Sequence, residues 1–100
     1  MAIKECNKEK QETDVIKPNL YEVVLLNDDY TTMEFVIEVI VEVFKKSRQQ
    51  ASQIMLDVHL SGKGAVGIYT YDIAATRVQI VEELARDQGF PLKADMCKVE

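Results

Sequence analysis

Met33-Glu34-Phe35-Val36-Ile37-Glu38-Val39-Ile40-Val41-Glu42-Val43-Phe44 is the stretch on which the fold turns. Its valines and isoleucines favour a strand. Its charges argue for a helix, because Glu34, Glu38 and Glu42 recur every four residues and so form one polar stripe. In a strand these glutamates would share a face with Val36 and Ile40. On a helix, Phe35, Val36, Val39, Ile40, Val43 and Phe44 form the opposite, core-facing side, with Met33, Ile37 and Val41 along its edge. Thr31 is placed as the N-cap, with Glu34 three residues on at the spacing of a capping box.

The neighbouring elements follow outward from this helix. Upstream, Leu20-Tyr21-Glu22-Val23-Val24-Leu25-Leu26 reads as a strand, nearly continuously apolar from Val23 as in a strand covered on both faces. Asn27-Asp28-Asp29 ends it with turn-forming residues. Downstream, Ser47 and Gln50 have capping-box spacing, and Ala51, Ile54, Met55 and Val58 keep the spacing of one buried helical face. Met55 and His59 are four apart and therefore neighbours on that helix, which Gly62 is placed to end. Ala65 to Tyr71 reads as a second strand. A third helix follows, capped by Asp72 and stopped by Gly89 and Pro91, with Ile73, Ala74, Val78, Val81, Leu84 and Ala85 toward the core. Ala94 to Val99 reads as a last edge strand. The order β-α-α-β-α-β predicts an α+β fold, a small three-stranded sheet with three helices on one face.

The bulk composition narrows the function classes. One hundred residues make one domain. The formal net charge of −5 falls on residues 19–100, because Lys4, Lys8, Lys10 and Lys17 balance Glu5, Glu9, Glu12 and Asp14. An acidic domain without clustered Lys and Arg is a poor nucleic-acid binder. Residues 1–18 are polar and of mixed charge, a composition expected of a flexible N-terminal extension ahead of a core domain at 19–100. Two cysteines, Cys6 and Cys97, give neither a disulfide framework nor a zinc site, and one histidine makes imidazole metal chemistry improbable. No apolar run is long enough for a membrane span and no signal-peptide pattern is present, so a soluble protein of a reducing compartment is expected.

The residues do not combine into a catalytic set. His59 has no cysteine placed to be its nucleophile, since Cys6 lies in the N-terminal extension and Cys97 in the last strand, and Gly62-Lys63-Gly64 lacks the spacing of a phosphate loop and precedes a strand. No enzyme activity, cofactor or metal is expected. A binding site is better supported. Asn27 offers an amide oxygen, Asp28 a carboxylate and a neutral His59 a lone pair, a set suited to a group that only donates, such as a primary ammonium. Met33, Val36, Met55 and Val58 lie on two consecutive helices, where they can line an adjacent apolar hole.

With Tyr21-Glu22-Val23-Val24-Leu25-Leu26-Asn27-Asp28-Asp29-Tyr30-Thr31, Met33-Glu34-Phe35-Val36, Met55-Leu56-Asp57-Val58-His59, Gly62-Lys63-Gly64 and Gly67 in this order, the chain resembles the ClpS adaptors of the N-end rule. The resemblance runs from about Pro18 to the C-terminus. It implies a non-enzymatic adaptor that binds proteins beginning with Leu, Phe, Tyr or Trp and delivers them to the N-domain of a Clp AAA+ unfoldase, ClpA or ClpC, for degradation by ClpP. The bacterial cytoplasm, or the plastid stroma in a eukaryote, is the implied location. It further implies that Asn27, Asp28 and His59 hold the free α-amino group. Asp29, Thr31, Met33, Val36, Met55, Val58 and Leu92 would shape the side-chain pocket, with Met33 as gate against β-branched residues. Asp72 and Arg77 would dock on the unfoldase, and residues 1–18 would serve delivery. The implied fold is similar to that of the ribosomal stalk protein's C-terminal domain. An alternative function is a stalk-like interaction domain, which would need neither the Asn27-Asp28-Asp29 turn nor His59.

Two positions depart from the family pattern. Thr32 stands where proline is usual, so a looser start to the first helix is expected. Arg77 stands where lysine is common, which keeps charge but changes hydrogen-bond geometry.

Overall fold

The computed structural model describes residues 19–99. The expected extension at 1–18 therefore lies outside the described residues. The elements are β1 (Leu20–Leu26), α1 (Met33–Phe44), α2 (Arg48–Ser61), β2 (Lys63–Thr70), α3 (Tyr71–Gln88) and β3 (Lys93–Lys98). The α+β order read from the sequence is the observed one. The sheet order is β2-β1-β3, with both pairings antiparallel.

The most apolar strand is the central one. Val23 and Leu25 are fully buried beneath the helices and belong to a core that also takes in Val39, Ile40, Ala51, Val81 and Ala74. Val24 alternates to the other face. It lies outside that core, flanked by Ala65 on β2 and Asp95 on β3, yet is buried too. The helices thus cover one face only, and the continuous apolar run marks the central position of β1. A bulge between Val23 and Val24 leaves Val66 as an extra residue on β2, where it fills the core.

Helix α1 forms across the valine-rich run as the glutamate stripe requires. Glu34, Glu38 and Glu42 are exposed, while Val36, Val39, Ile40, Val43 and Phe44 are buried. Its start is corrected by one residue. The N-cap is Thr32, not Thr31, and the Thr32 hydroxyl accepts from the Phe35 N–H at 3.1 Å. Threonine in the usual proline position therefore supplies a cap bond, and the start of α1 is fastened where loosening was expected. Thr31 is left free for another bond, described below. At the other end Lys45 adopts a left-handed conformation, φ 57°.

Helix α2 carries the expected capping box between Ser47 and Gln50, and Gly62 closes it at φ 92°. The start of α3 is also corrected. It begins at Tyr71 with Thr70 as N-cap, whose side chain makes no cap bond, so Asp72 lies inside the first turn. There its charge meets the positive end of the helix dipole. Strand β2 accordingly spans Lys63–Thr70, displaced toward the N-terminus relative to the expected Ala65–Tyr71.

Two contacts set where the helices sit. A Cβ on Gly64 would lie 2.8 Å from Val58 Cγ2 and 3.0 Å from the Ile54 carbonyl oxygen, so glycine lets α2 lie directly on β2. The Phe35 and Phe90 rings, 5.0 Å apart, tie α1 to the segment leaving α3.

Candidate functional site

The turn after β1 is built around one carboxylate. Asp28 Oδ1 accepts from the Tyr30 and Thr31 N–H groups, each at 2.7 Å, and Asp28 Oδ2 accepts from the Thr31 hydroxyl at 2.7 Å. This is an Asx-type turn, the local structure that Asn-Asp-Asp sequences favour. Partial burial raises the Asp28 pKa, but the bonds from the Thr31 backbone, the Thr31 hydroxyl and the Tyr30 backbone outweigh it, and the net shift is downward from 3.8. Asp28 is therefore ionised at neutral pH. A carboxylate has about four acceptor sites, and the turn occupies three, leaving one for a ligand.

The turn is held against the end of α2. The Asn27 N–H donates to the Gly62 carbonyl at 2.9 Å, a bond that joins the end of β1 to the residue closing α2. His59 stands one turn before Gly62, so this bond fixes the separation of Asn27 and Asp28 from His59. On the other flank Thr32 begins α1 from the same turn.

These three elements enclose a cleft of about 380 Å³. Asn27, Asp28, Asp29, Tyr30, Thr31 and Thr32 form its polar side; Met33 and Val36 of α1 and Met55 and His59 of α2 complete it. Val36 and Met55 are buried in its wall, whereas Met33 is half exposed, on the rim. All three expected amine-binding residues line this cleft, as do Asp29, Thr31, Met33, Val36 and Met55. Val58 and Leu92 do not. They are buried in the hydrophobic core, at 3% and 2% exposure. Tyr30 and Thr32 were not expected there. Their signal was contiguity, since a chain that crosses the mouth between Asp29 and Met33 exposes its intermediate residues to it.

Asp72 and Arg77 lie apart from the cleft, on α3. Asp72 is exposed. Arg77 Nη1 donates to the Val43 carbonyl at 3.0 Å, and its guanidinium lies 5.1 Å from the centre of the Tyr69 ring. Helix α1 has no basic residue in its own last turn, so Arg77 brings positive charge to that end from α3. A planar fork that stacks and donates together is arginine chemistry, which lysine in this position would not reproduce.

The cleft sets hydrogen-bond acceptors, one of them an anion, beside an apolar wall. It suits a ligand that pairs a cationic donor with a hydrophobic side group. Among the described residues no group of three or more His, Cys, Asp or Glu side chains could hold a metal ion. Among them, too, no helix is long and apolar enough to cross a membrane.

Comparison with known proteins agrees with this description. The family model for the ATP-dependent Clp protease adaptor protein ClpS matches residues 16–95. A ClpS adapter protein of Acetivibrio thermocellus is 51% identical over 96 residues, 96% of this chain and 97% of the relative. One from Desulforapulum autotrophicum is 52% identical over 97 residues, 97% of this chain and 93% of the relative. Among solved structures, ClpS2 of Agrobacterium tumefaciens bound to L-phenylalaninamide superposes with a TM-score of 0.81 at 37% identity, covering 83% of this chain and all of that one. The chain thus belongs to the ClpS family of Clp protease adaptors.

Proposed function

We propose that this adaptor binds proteins through a large hydrophobic N-terminal residue with a free α-amino group, and delivers them to a Clp AAA+ unfoldase for degradation by ClpP. The observation that carries the reading is the convergence of Asn27, Asp28 and His59 with Met33, Val36 and Met55 around one cleft. L-Phenylalaninamide, seen in the Agrobacterium relative, joins a free amine to an aromatic side chain, the same pairing of chemistries.

In this reading the α-ammonium donates to the remaining lone pair of Asp28, to the Asn27 amide oxygen and to His59. The first side chain enters between Val36 and Met55, and Met33 closes the rim. Asp29 and Thr31 shape the entrance. Val58 and Leu92 act from behind, by holding the wall. Burial of a Leu or Phe side chain contributes about 1.5–3 kcal/mol. Each charge-assisted hydrogen bond adds about 1.5–3 kcal/mol. Desolvation of the ammonium and ordering of the chain oppose these gains. Micromolar affinity, about −8 kcal/mol, is within reach of one residue and its amine.

Delivery needs a second surface. Asp72 is exposed there, and its neighbours Tyr71 and Ile73 are exposed apolar residues. We place the docking of the unfoldase N-domain, from ClpA or ClpC, on this start of α3. Arg77 contributes by holding α3 to α1 as well as by its charge. The protein acts as an adaptor, without catalysis or cofactor, in the cytoplasm or the plastid stroma.

Fluorescence anisotropy on a matched pair of peptides beginning with Leu, one with a free N-terminus and one acetylated, tests the reading. The free peptide is expected to bind in the micromolar range or tighter, and the acetylated one at least about 30-fold more weakly, because one charged bond and its donors are lost. Equal binding of the two would overturn amine recognition.

A further inference from the structure

The helices cover one face of the sheet, and Cys97 stands on the other. Met96 packs against the core beneath the helices, so its neighbour on β3, Cys97, points to the open face. It is half-buried there, opposite Glu22 of β1. Cys97 is disulfide-bonded. The chain holds one other cysteine, Cys6, which lies outside the described residues. The pairing of β1 with β3 puts that partner within reach. The Val99 N–H donates to the Leu20 carbonyl at 2.8 Å, so the chain enters the sheet beside the end of β3. From Leu20 to Cys97 is two residues along β1 and one strand across, on the order of 8 Å. Cys6 precedes Leu20 by 14 residues, which span up to about 45 Å. Two groups joined by so short a connection meet at an effective concentration on the order of millimolar, which favours a bond within one chain over a bond between two. The cleft lies at the opposite end of β1, where Asn27 is five residues beyond Glu22, roughly 17 Å. Cys97 is not among the described residues that line it.

We propose that Cys6 is the partner of Cys97, and that this reversible disulfide ties the N-terminal extension to the open face of the sheet and withholds it from the unfoldase until it is reduced. The inference rests on the delivery function proposed above and on the part of residues 1–18 in it. With Cys6 fixed, residues 7–19 close into a loop and only residues 1–5 remain to reach a partner. The exchange balances with a low-molecular-weight disulfide as oxidant. The thiolate of one cysteine attacks that disulfide and one thiol leaves; the second cysteine then displaces the other, so two thiols are released for each bond formed. A thiol reductant reverses both steps. In a reducing compartment such a bond forms only when the thiol balance shifts, which makes it a signal and not a permanent staple. The cleft keeps its geometry in both states, so the switch acts on delivery and not on recognition.

The full chain, treated with glutathione disulfide or with dithiothreitol and freed of excess reagent, tests this in three measurements. Non-reducing peptide mapping of the oxidised form is expected to show a Cys6–Cys97 link within a monomer. Anisotropy with a Leu-first peptide is expected to give affinities within about twofold for the two forms. Degradation of a Leu-first substrate by the unfoldase and ClpP is expected to be at least about tenfold slower with the oxidised form, and restored by dithiothreitol. Cys6→Ser and Cys97→Ser are expected to deliver equally fast after either treatment. A map without the Cys6–Cys97 link, or with Cys97 joined between two copies, would overturn the pairing. A linked chain that delivers as fast as the reduced one, or a Cys6→Ser chain still slowed by the oxidant, would overturn the switch. Weaker peptide binding on oxidation would place the effect at the cleft and overturn the withholding of the extension. If the reduced chain binds peptide but does not accelerate degradation, the delivery reading fails and the switch falls with it.

Discussion

At the scale of single residues, Asp28 shows how one side chain serves fold and site together. Its carboxylate organises the turn through bonds to Tyr30 and Thr31, and those bonds favour its charged form, which the proposed binding of an ammonium requires. The sign of the pH effect follows. A carboxyl whose folded pKa lies below its unfolded one contributes stability that is fully present above the unfolded value and lost as pH falls through the folded one. Between about pH 5 and pH 2 the parent chain is expected to lose more stability than Asp28→Asn, which cannot titrate, so denaturation curves of the two should converge on acidification. Met33 is the second informative residue. It sits half exposed on the rim, where a flexible thioether can press on a branched Cβ entering the cleft. Met33→Ala is expected to admit peptides beginning with Ile or Val at least about tenfold better, because truncation removes the obstructing atoms. Anisotropy with Ile-first and Leu-first peptides measures this, and unchanged discrimination would remove Met33 as the gate.

At the scale of the element, helix termini decide where the site residues stand. Thr32 caps α1 directly after the Asp28 turn, so Met33 and Val36 are held at fixed angles to that turn. The opposite end of α1 is closed by its own backbone, the Lys45 N–H donating to the Ile40 carbonyl. Lys45 takes a left-handed conformation that costs a residue with a Cβ about 1 kcal/mol. Arg77 offsets this by donating to Val43 from another helix. Lys45→Gly is accordingly expected to stabilise the protein by about 1 kcal/mol without changing peptide affinity, a gain read from the midpoint of urea denaturation. A loss of stability would show that the Lys45 side chain does more than bear the strain.

At the scale of the whole molecule, two surfaces are separated by the core. The cleft lies between β1, α1 and α2, and the proposed docking surface lies on α3. That separation permits a substrate and an unfoldase to be bound at once. Deleting residues 2–16 is expected to leave peptide affinity within about twofold, because the described residues that line the cleft all fall between Asn27 and His59, outside the deleted segment. The same deletion is expected to abolish stimulated degradation of a Leu-first substrate by the unfoldase and ClpP. A truncated chain that still accelerates degradation would assign delivery to the folded domain alone.

Much of this was legible in the sequence, for reasons that differ between residues. The four-residue recurrence of Glu34, Glu38 and Glu42 determined that a valine-rich run is a helix, since only a helix gathers those charges on one side. Ser47 with Gln50, and Gly62, marked their caps because capping chemistry is local. Thr31 and Thr32 were not separable by such rules: both are good caps, and the competing bond from Thr31 to Asp28 decided between them. Asp72 was misplaced as a cap for a similar reason, because pairing of Thr70 with Leu20 sets where β2 stops. The sequence by itself determined the element order and the polar turn, and it singled out Asn27, Asp28 and His59, which line one cleft. Only the tertiary structure decided that β1 is central, that Val58 and Leu92 are buried in the core and not in the cleft lining, and that Arg77 is bonded to α1. Those facts depend on contacts between residues distant in the chain, such as Asn27 with Gly62 and Arg77 with Val43, which no local pattern encodes.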